Sequence, residues 1–237
     1  MNEYTDITEY YDLLMTSGYY DYHKIAKSFH SVLGERKKLL EVGVGTGLLT
    51  EELLKIDDSY ELTGIDHTES MLKIARERLG NQAKLIQANL VSMELGDTFD
   101  AVISNGVWAM ADTGKEYHLG THLPDDEENL RALKNVAKHL NKNGLFLLNI
   151  QKPHYEYELP LPQGIVYCQE VSTIEEKSDQ YSVRKSYIFK KEGQILAKQT
   201  CTYKLLTEPA IQKIMDEAGF KFQEVHPSQD LYCYFKY

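Results

Sequence analysis

Leu39-Leu40-Glu41-Val42-Gly43-Val44-Gly45-Thr46-Gly47-Leu48-Leu49-Thr50 reads as an apolar strand that runs into a glycine turn and then into a helix. Gly64-Ile65-Asp66 ends the next apolar run, so a carboxylate closes the second strand. A parallel α/β sheet uses this unit to hold an adenosine-containing ligand. Gly43, Gly45 and Gly47 allow a tight turn and a close approach of backbone to ligand. An ordinary glycine turn is the plainer alternative. The preceding strand, Glu41, and an acidic residue about 20 positions on weigh against it.

Outward from the turn, residues 3–33 read as helical. Tyr10, Leu13 and Leu14, then Tyr22, Ile25, Ala26, Phe29 and Val32, recur at helical spacing, with a break near Gly18. Residues 38–42 form the first strand, 48–56 a helix and 60–65 the second strand. Thr68 is placed to cap a helix that carries Met71, Leu72, Ile74, Ala75 and Leu79 and stops at Gly80-Asn81. Short strands at 83–87 and 99–104, a long connection over 105–125, a helix over 126–140 and a strand at 145–150 follow. After Pro160-Leu161-Pro162 the rhythm changes to β-type runs at 166–174, 181–190 and 194–205 with nothing helical between them. Thr207 then caps a helix over 208–218 that Gly219 ends, and 220–225 with 231–237 make a closing hairpin. The predicted fold is α/β: a doubly wound, Rossmann-like, mostly parallel seven-stranded sheet with N-terminal helices and a small antiparallel β insertion. Residues 1–35 are expected to form a helical lid, 36–160 with 207–237 the core, and 163–206 a three-stranded insertion.

Composition narrows the function classes. The net charge of −10, from 26 Lys and Arg against 36 Asp and Glu, argues against a nucleic-acid footprint, because phosphate binding needs clustered basic residues. Arg36-Lys37-Lys38, Arg184-Lys185 and Lys190-Lys191 are short clusters and read as solvated faces. No window reaches the roughly 20 apolar residues of a membrane span. The acidic start (Glu3, Asp6, Glu9, Asp12) does not read as a signal peptide, so a cytoplasmic location is expected. Cys168, Cys201 and Cys233 are far apart, so neither a zinc site nor a disulfide framework is indicated. The 17 tyrosines suggest a cavity lined by rings that also offer hydroxyls; surface and sheet-edge positions are the plainer alternative.

The spacing of the glycines selects the ligand. A dinucleotide site of the form G-x-G-x-x-G would put its third glycine at 48; that position is Leu48, and the glycine comes early, at Gly47. Glu41 is poorly placed beside a pyrophosphate and well placed beside a cation. The run Glu41-x-Gly43-x-Gly45-x-Gly47 resembles the first motif of class I S-adenosylmethionine-dependent methyltransferases, whose cofactor carries an ammonium and a sulfonium and no phosphate. The resemblance implies that Glu41 takes the cofactor ammonium, with Gly43, Gly45 and Thr46 forming the turn. It implies that Asp66 accepts both ribose hydroxyls and that His67 and Met71 flank the adenine. Asn89 and the Leu90 backbone would reach the adenine amino group, although many family members carry Asp at the position of Asn89. Asn105 and Tyr11 complete the expected cofactor site.

A narrower resemblance is to glycine N-methyltransferase and the sugar-amine N,N-dimethyltransferases. Phe99-Asp100-Ala101-Val102-Ile103, Ala132-Leu133-Lys134-Asn135-Val136-Ala137 with Gly144, and the insertion together with Leu231-Tyr232-Cys233-Tyr234-Phe235 carry it. Such proteins use the insertion and N-terminal helices as a lid and often as an oligomer contact, so a homo-oligomer through either segment is implied.

Asn105-Gly106-Val107-Trp108 occupies the position where related enzymes that act on planar amides carry Asn-Pro-Pro-Tyr, and it lacks that motif. Trp108 is a candidate to face the sulfonium or a substrate cation; packing the loop onto the sheet is the alternative. His118 and His122 lie four apart but in a loop-like setting with no third ligand, so no metal is expected. After the fifth strand, His154 is a candidate base and Tyr155 a candidate to orient the nucleophile. Lys152 and Arg184 are candidates to anchor a substrate carboxylate. These groups could equally rim a loop and meet only water. Tyr10, Tyr11, Tyr19, Tyr20 and Tyr22 precede the sheet and are expected to cover the site, with Tyr20 and Tyr203 toward the substrate.

The function these residues imply is methyl transfer to a small molecule, nitrogen ahead of oxygen. The donor is already activated, so the protein has mainly to align the acceptor about 3 Å from the methyl carbon and exclude water. The competing reading is another reaction of the same cofactor, such as an intramolecular cyclisation that releases methylthioadenosine. A non-catalytic binding module is a third reading, and the intact Glu41, Gly43, Gly45 and Asp66 speak against it.

Overall fold

Leu39, Leu40 and Val42 are all fully buried, as a strand covered on both faces requires. The computed structural model, which describes residues 3–228 and 230–237, shows what covers them. Its elements in chain order begin with α1 (Thr8–Leu14), α2 (Tyr22–Leu33), β1 (Lys38–Val42), α3 (Leu48–Ile56) and β2 (Glu61–Asp66). There follow α4 (Glu69–Leu79), β3 (Lys84–Gln87), β4 (Phe99–Ser104), β5 (Trp108–Asp112), β6 (Tyr117–Thr121), α5 (Asp126–His139) and β7 (Leu140–Gln151). The chain continues with β8 (Tyr157–Pro160), β9 (Ile165–Glu176), β10 (Gln180–Lys191), β11 (Gln194–Leu206), α6 (Glu208–Ala218), β12 (Phe220–Val225) and β13 (Leu231–Lys236).

The core sheet runs β3-β2-β1-β4-β7-β13-β12. The first five strands are parallel and β13 inserts antiparallel to both β7 and β12. This is the predicted doubly wound sheet. Because side chains alternate along a strand, Leu39, Ala101, Ile103, Leu145 and Leu147 pack on one face against α2 and α3. Leu40, Val42, Val102, Phe146 and Leu148 pack on the other against α5 and α6. Asp21 and Asp125 cap α2 and α5, accepting from Lys24 N and Glu128 N at 2.9 Å each. Thr68 and Thr207 precede α4 and α6 as predicted, but neither side chain makes a capping bond. Thr207 Oγ1 donates instead to the Asp179 carbonyl.

The connection 105–125 is not a plain loop. It folds into the hairpin β5-β6, and β6 pairs with β11. The insertion is therefore larger than the three strands read from the sequence. β5-β6-β11-β10-β9-β8 form a second sheet, joined to the first where β5 runs parallel to β7 at Met110 and Ile150. The N-terminal segment breaks at Gly18, with φ +94°, and packs over this second sheet. Tyr10 stacks on Phe189 at 5.1 Å, and Ile7, Leu14 and Met15 join Tyr167, Tyr187 and Tyr203 in one cluster. Residues 1 and 2 of the expected lid lie outside the described residues. Among the described residues no helix is long and apolar enough to cross a membrane.

Candidate functional site

The glycine turn sits at the carboxyl end of the parallel strands, where β1 gives way to α3. Gly43, Gly45 and Gly47 have φ of +74°, +56° and +83°, a region that side chains disfavour. At Gly43 a Cβ would lie 2.3 Å from Val107 Cγ2, so residue 43 must also be small. At Gly45 a Cβ would meet nothing within 4 Å, because that residue faces an open cleft. Asp66 ties the turn to β2: Oδ2 accepts from Gly45 N at 2.9 Å and Oδ1 from Thr68 N at 2.8 Å. Burial raises the Asp66 carboxyl above its ordinary value. Its carboxylate forms part of the cleft wall with His67, Met71, Leu90, Asn105 and Tyr11.

Glu41 lies beneath the turn, 2% exposed. Thr50 Oγ1 donates to its Oε2 at 2.5 Å, and burial pushes its carboxyl up to about 8. It shares a small pocket with Gly43, Gly45, Thr46, Tyr11 and Asn105. Asn105 Oδ1 is buried with no hydrogen-bond partner among the described residues. A buried acceptor without a donor is costly, and a buried carboxylate beside it makes this corner suited to an ammonium group. The N-terminal segment is fastened here as well. Thr46 Oγ1 donates to Asp12 Oδ1 at 2.5 Å, Arg78 pairs with Asp12, and Arg78 Nε donates to the Thr46 carbonyl.

A second cavity of about 210 Å³ adjoins the cleft. Tyr4, Tyr11, Asn105, Gly106 and His122 belong to both walls. Its floor comes from β5, β6, β10 and β11 and its roof from Met15, Tyr19 and Tyr20 of the N-terminal segment. The hydroxyls of Tyr4, Tyr187 and Tyr203 converge: Tyr203 lies 2.8 Å from each of the others, and Tyr4 and Tyr187 are 3.3 Å apart. Burial holds all three phenols protonated, well above their ordinary value. Tyr20 donates to Gln151 Oε1 at 2.5 Å. The His122 ring stands edge-on to Tyr203 at 4.5 Å, and burial lowers it to about 3.

A methyltransferase-domain family model matches residues 39–144, the span that holds the glycine turn, Asp66 and the start of the second cavity. The matched span is somewhat less than half of the chain. The chain is 27% identical over 133 residues to a malonyl-[acyl-carrier protein] O-methyltransferase of Bacillus cereus, covering 53% of this chain and 44% of that protein. It is 27% identical over 139 residues to glycine N-methyltransferase of Rattus norvegicus, covering 54% and 43%. The chain thus spans less than half the length of these curated relatives. DesVI of Streptomyces venezuelae superposes with a TM-score of 0.73 at 21% identity, over 98% of this chain and 99% of that one. CalS10, an amino pentose methyltransferase from Micromonospora echinaspora, superposes at 0.69 with 16% identity over 96% of each chain. The chain shares the fold of these two structures over nearly its whole length.

Several sequence-predicted residues lie outside the cleft and the cavity. Trp108 is fully buried in the core, edge-on to Phe146, with its indole N–H donating to Asn129 Oδ1 at 3.2 Å. It opens a strand instead of sitting in a loop, and it reaches neither cavity. Tyr155 is 61% exposed and lines neither cavity. Arg184 is exposed on the outer face of β10, because strand alternation turns its neighbour Lys185 inward. Asn89 is exposed and closes its own turn, accepting from Val91 N at 2.9 Å, while Ala88 and Leu90 form the wall. Tyr10 packs in the lid and Tyr22 stays near Glu41. His118 bonds Tyr181, away from His122. His154, Lys152, Tyr20 and Tyr203 do line the second cavity.

Sequence reading missed Tyr4, His122 as a cavity residue, Tyr187 and Lys185. For the last two a signal was present. Tyr181, Val183, Lys185, Tyr187 and Phe189 alternate along β10 and mark its inward face. For Tyr4 and His122 no local pattern exists, since their neighbours in space come from β10 and β11.

Proposed function

We propose that this chain is an S-adenosylmethionine-dependent methyltransferase acting on a small molecule held in the tyrosine-lined cavity, with nitrogen as acceptor ahead of oxygen. The shared wall between cleft and cavity carries the reading. It gives a cofactor and an acceptor separate rooms with a common junction at Asn105, Gly106 and His122. The residues present suit the cofactor. Glu41 and the unpartnered Asn105 Oδ1 would take its ammonium, Asp66 its ribose hydroxyls, and Met71, His67 and Leu90 the adenine. S-adenosylmethionine supplies an activated methyl group on sulfur. The protein's part is alignment and exclusion of water. The phenols stay protonated and orient the acceptor by hydrogen bonding. His122 stays neutral near pH 7, so an amine would have to arrive as its free base. Residues 1–35 would serve as the lid, since Tyr4 and Tyr11 line both rooms and Met15, Tyr19 and Tyr20 line the second.

A separate acceptor room favours transfer to a second molecule over cyclisation of the cofactor. Mass spectrometry after incubation with S-adenosylmethionine and a panel of amines, amino acids and hydroxylated metabolites tests this. S-adenosylhomocysteine with a methylated partner is expected. Methylthioadenosine as the product would overturn it, as would wild-type affinity for S-adenosylhomocysteine in Asp66→Ala.

A further inference from the structure

Lys185 is fully buried in β10, and burial with no carboxylate acting on it among the described residues lowers its amine well below the usual lysine range. Its Nζ donates to Tyr19 Oη at 2.6 Å, lies 3.2 Å from His154 Nδ1 and sits 4.2 Å from the centre of the Tyr187 ring. Tyr19, His154 and Tyr187 in turn form part of the wall of the second cavity. Lys185 therefore stands one side chain behind the surface that an acceptor would touch.

Buried charges in proteins are paired. Here the pair is missing, so the free chain favours the neutral amine, and an anion bound nearby would favour the charged form. Cys201, opposite Lys185 in the strand register, is the one acidic group that acts on it, and burial lifts its thiol to about 11, so it stays neutral. Among the described residues no Asp or Glu lines the cavity, while Lys152 does. The same lysine helps to hold His122 and His154 uncharged, after burial. Lys185 Nζ and His154 Nδ1 lie 3.2 Å apart, and the tautomer of the ring decides which of them donates. The wall thus offers hydrogen-bond donors and, among the described residues, no anion to receive a cation.

We propose that Lys185 is a specificity-determining residue that selects an acceptor bearing a carboxylate or comparable anionic group, the substrate supplying the negative charge that the protein withholds. This rests on the methyltransferase reading above and narrows its substrate to small organic acids, amino acids among them. With no carboxylate in the described wall to pair with it, an ammonium is disfavoured in the cavity, so an amino-acid nitrogen would sit there as the free base that methyl transfer needs. Lys185 acts through His154 and Tyr19 and does not itself touch the acceptor.

The test uses the full chain saturated with S-adenosylhomocysteine and a shape-matched set of probes: phenylacetate, phenylacetamide and phenethylamine. Calorimetry should show phenylacetate binding about 10-fold or more tighter than phenethylamine, the scale of one partly screened charge contact. Lys185→Met and Lys185→Gln should bring that ratio close to one while keeping the affinity for S-adenosylhomocysteine. A loss of packing alone would weaken all three probes alike and leave the ratio unchanged. The proposal is overturned if the amine binds as tightly as the acid, if none of the probes binds, or if the preference survives in both variants. Failure of the wild-type chain to bind S-adenosylhomocysteine would instead remove the underlying reading, so the two failures are distinguishable.

Discussion

The two rooms of the site are built in opposite ways. The cleft around the glycine turn is assembled from neighbours in sequence: a strand, a turn, a helix, and a second strand whose last residue reaches back to Gly45. The tyrosine cavity is assembled from remote segments, with Tyr4, Gly106, His154, Tyr187 and Tyr203 meeting only when the second sheet closes under the N-terminal helices. A locally encoded room can stay fixed while the other changes, because its geometry depends on backbone conformation. The cavity depends on side chains at scattered positions, each replaceable without disturbing the sheet.

That contrast breaks first at Gly43. Valine there would need a φ of +74°, a strain of about 1–2 kcal/mol, and its Cβ would fall 2.3 Å from Val107. Gly43→Val is expected to abolish measurable binding of S-adenosylhomocysteine by calorimetry while the far-UV circular dichroism of the sheet persists. Retained affinity would mean that the turn is not the ligand cradle.

Glu41 sharpens the same side. Burial raises it to about 8 from an ordinary 4.5, so the folded chain holds this proton more firmly than the unfolded chain does. The contribution to stability is complete below the unfolded value and is lost as pH rises through the folded one. Urea unfolding between these limits should show stability falling by up to about 1.4 kcal/mol per pH unit. Glu41→Gln should flatten that slope. Saturating S-adenosylhomocysteine should flatten it too, because its ammonium favours the carboxylate. An unchanged slope in both cases would place the titrating group elsewhere.

Legibility followed the same division. Residues 38–42, 48–56 and 99–104 have the bounds the sequence suggests, because apolar runs and glycine punctuation are local signals. The hairpin β5-β6 went unread: Trp108–Asp112 and Tyr117–Thr121 are short, and they become strands through pairing with β7 and β11. Trp108 was misplaced for the same reason, since a residue opening a strand points into the core where a loop residue need not. Gly43, Gly45 and Asp66 were readable because backbone conformation demanded them. Tyr4 and His122 were not, because the contacts that define them span most of the chain.

On the cavity side, a smaller effect is expected from the cluster of phenols. Tyr203→Phe removes the hydroxyl 2.8 Å from both Tyr4 and Tyr187 and leaves two buried hydroxyls with one partner fewer. A lost hydrogen bond of this kind costs about 1–2 kcal/mol, so kcat/KM for the acceptor should fall roughly 10-fold. Affinity for S-adenosylhomocysteine should stay within about two-fold, because Asp66 and Glu41 are untouched. A parallel loss in both measurements would show the rooms to be one coupled site.

The smallest effect should come from Arg184, and it is the most diagnostic of how β10 is read. Arg184 and Lys185 are adjacent and both basic, so charge alone cannot say which serves the cavity. Alternation along the strand decides it: Val183, Lys185 and Tyr187 are buried while Arg184 is exposed on the opposite face. Arg184→Ala should therefore leave KM for the acceptor, kcat and thermal stability close to wild type, within about 0.5 kcal/mol as for ordinary surface changes. A large rise in KM would mean that β10 presents its other face to the acceptor. A one-residue slip would do this, and it would move Tyr187 out of the cavity along with Lys185.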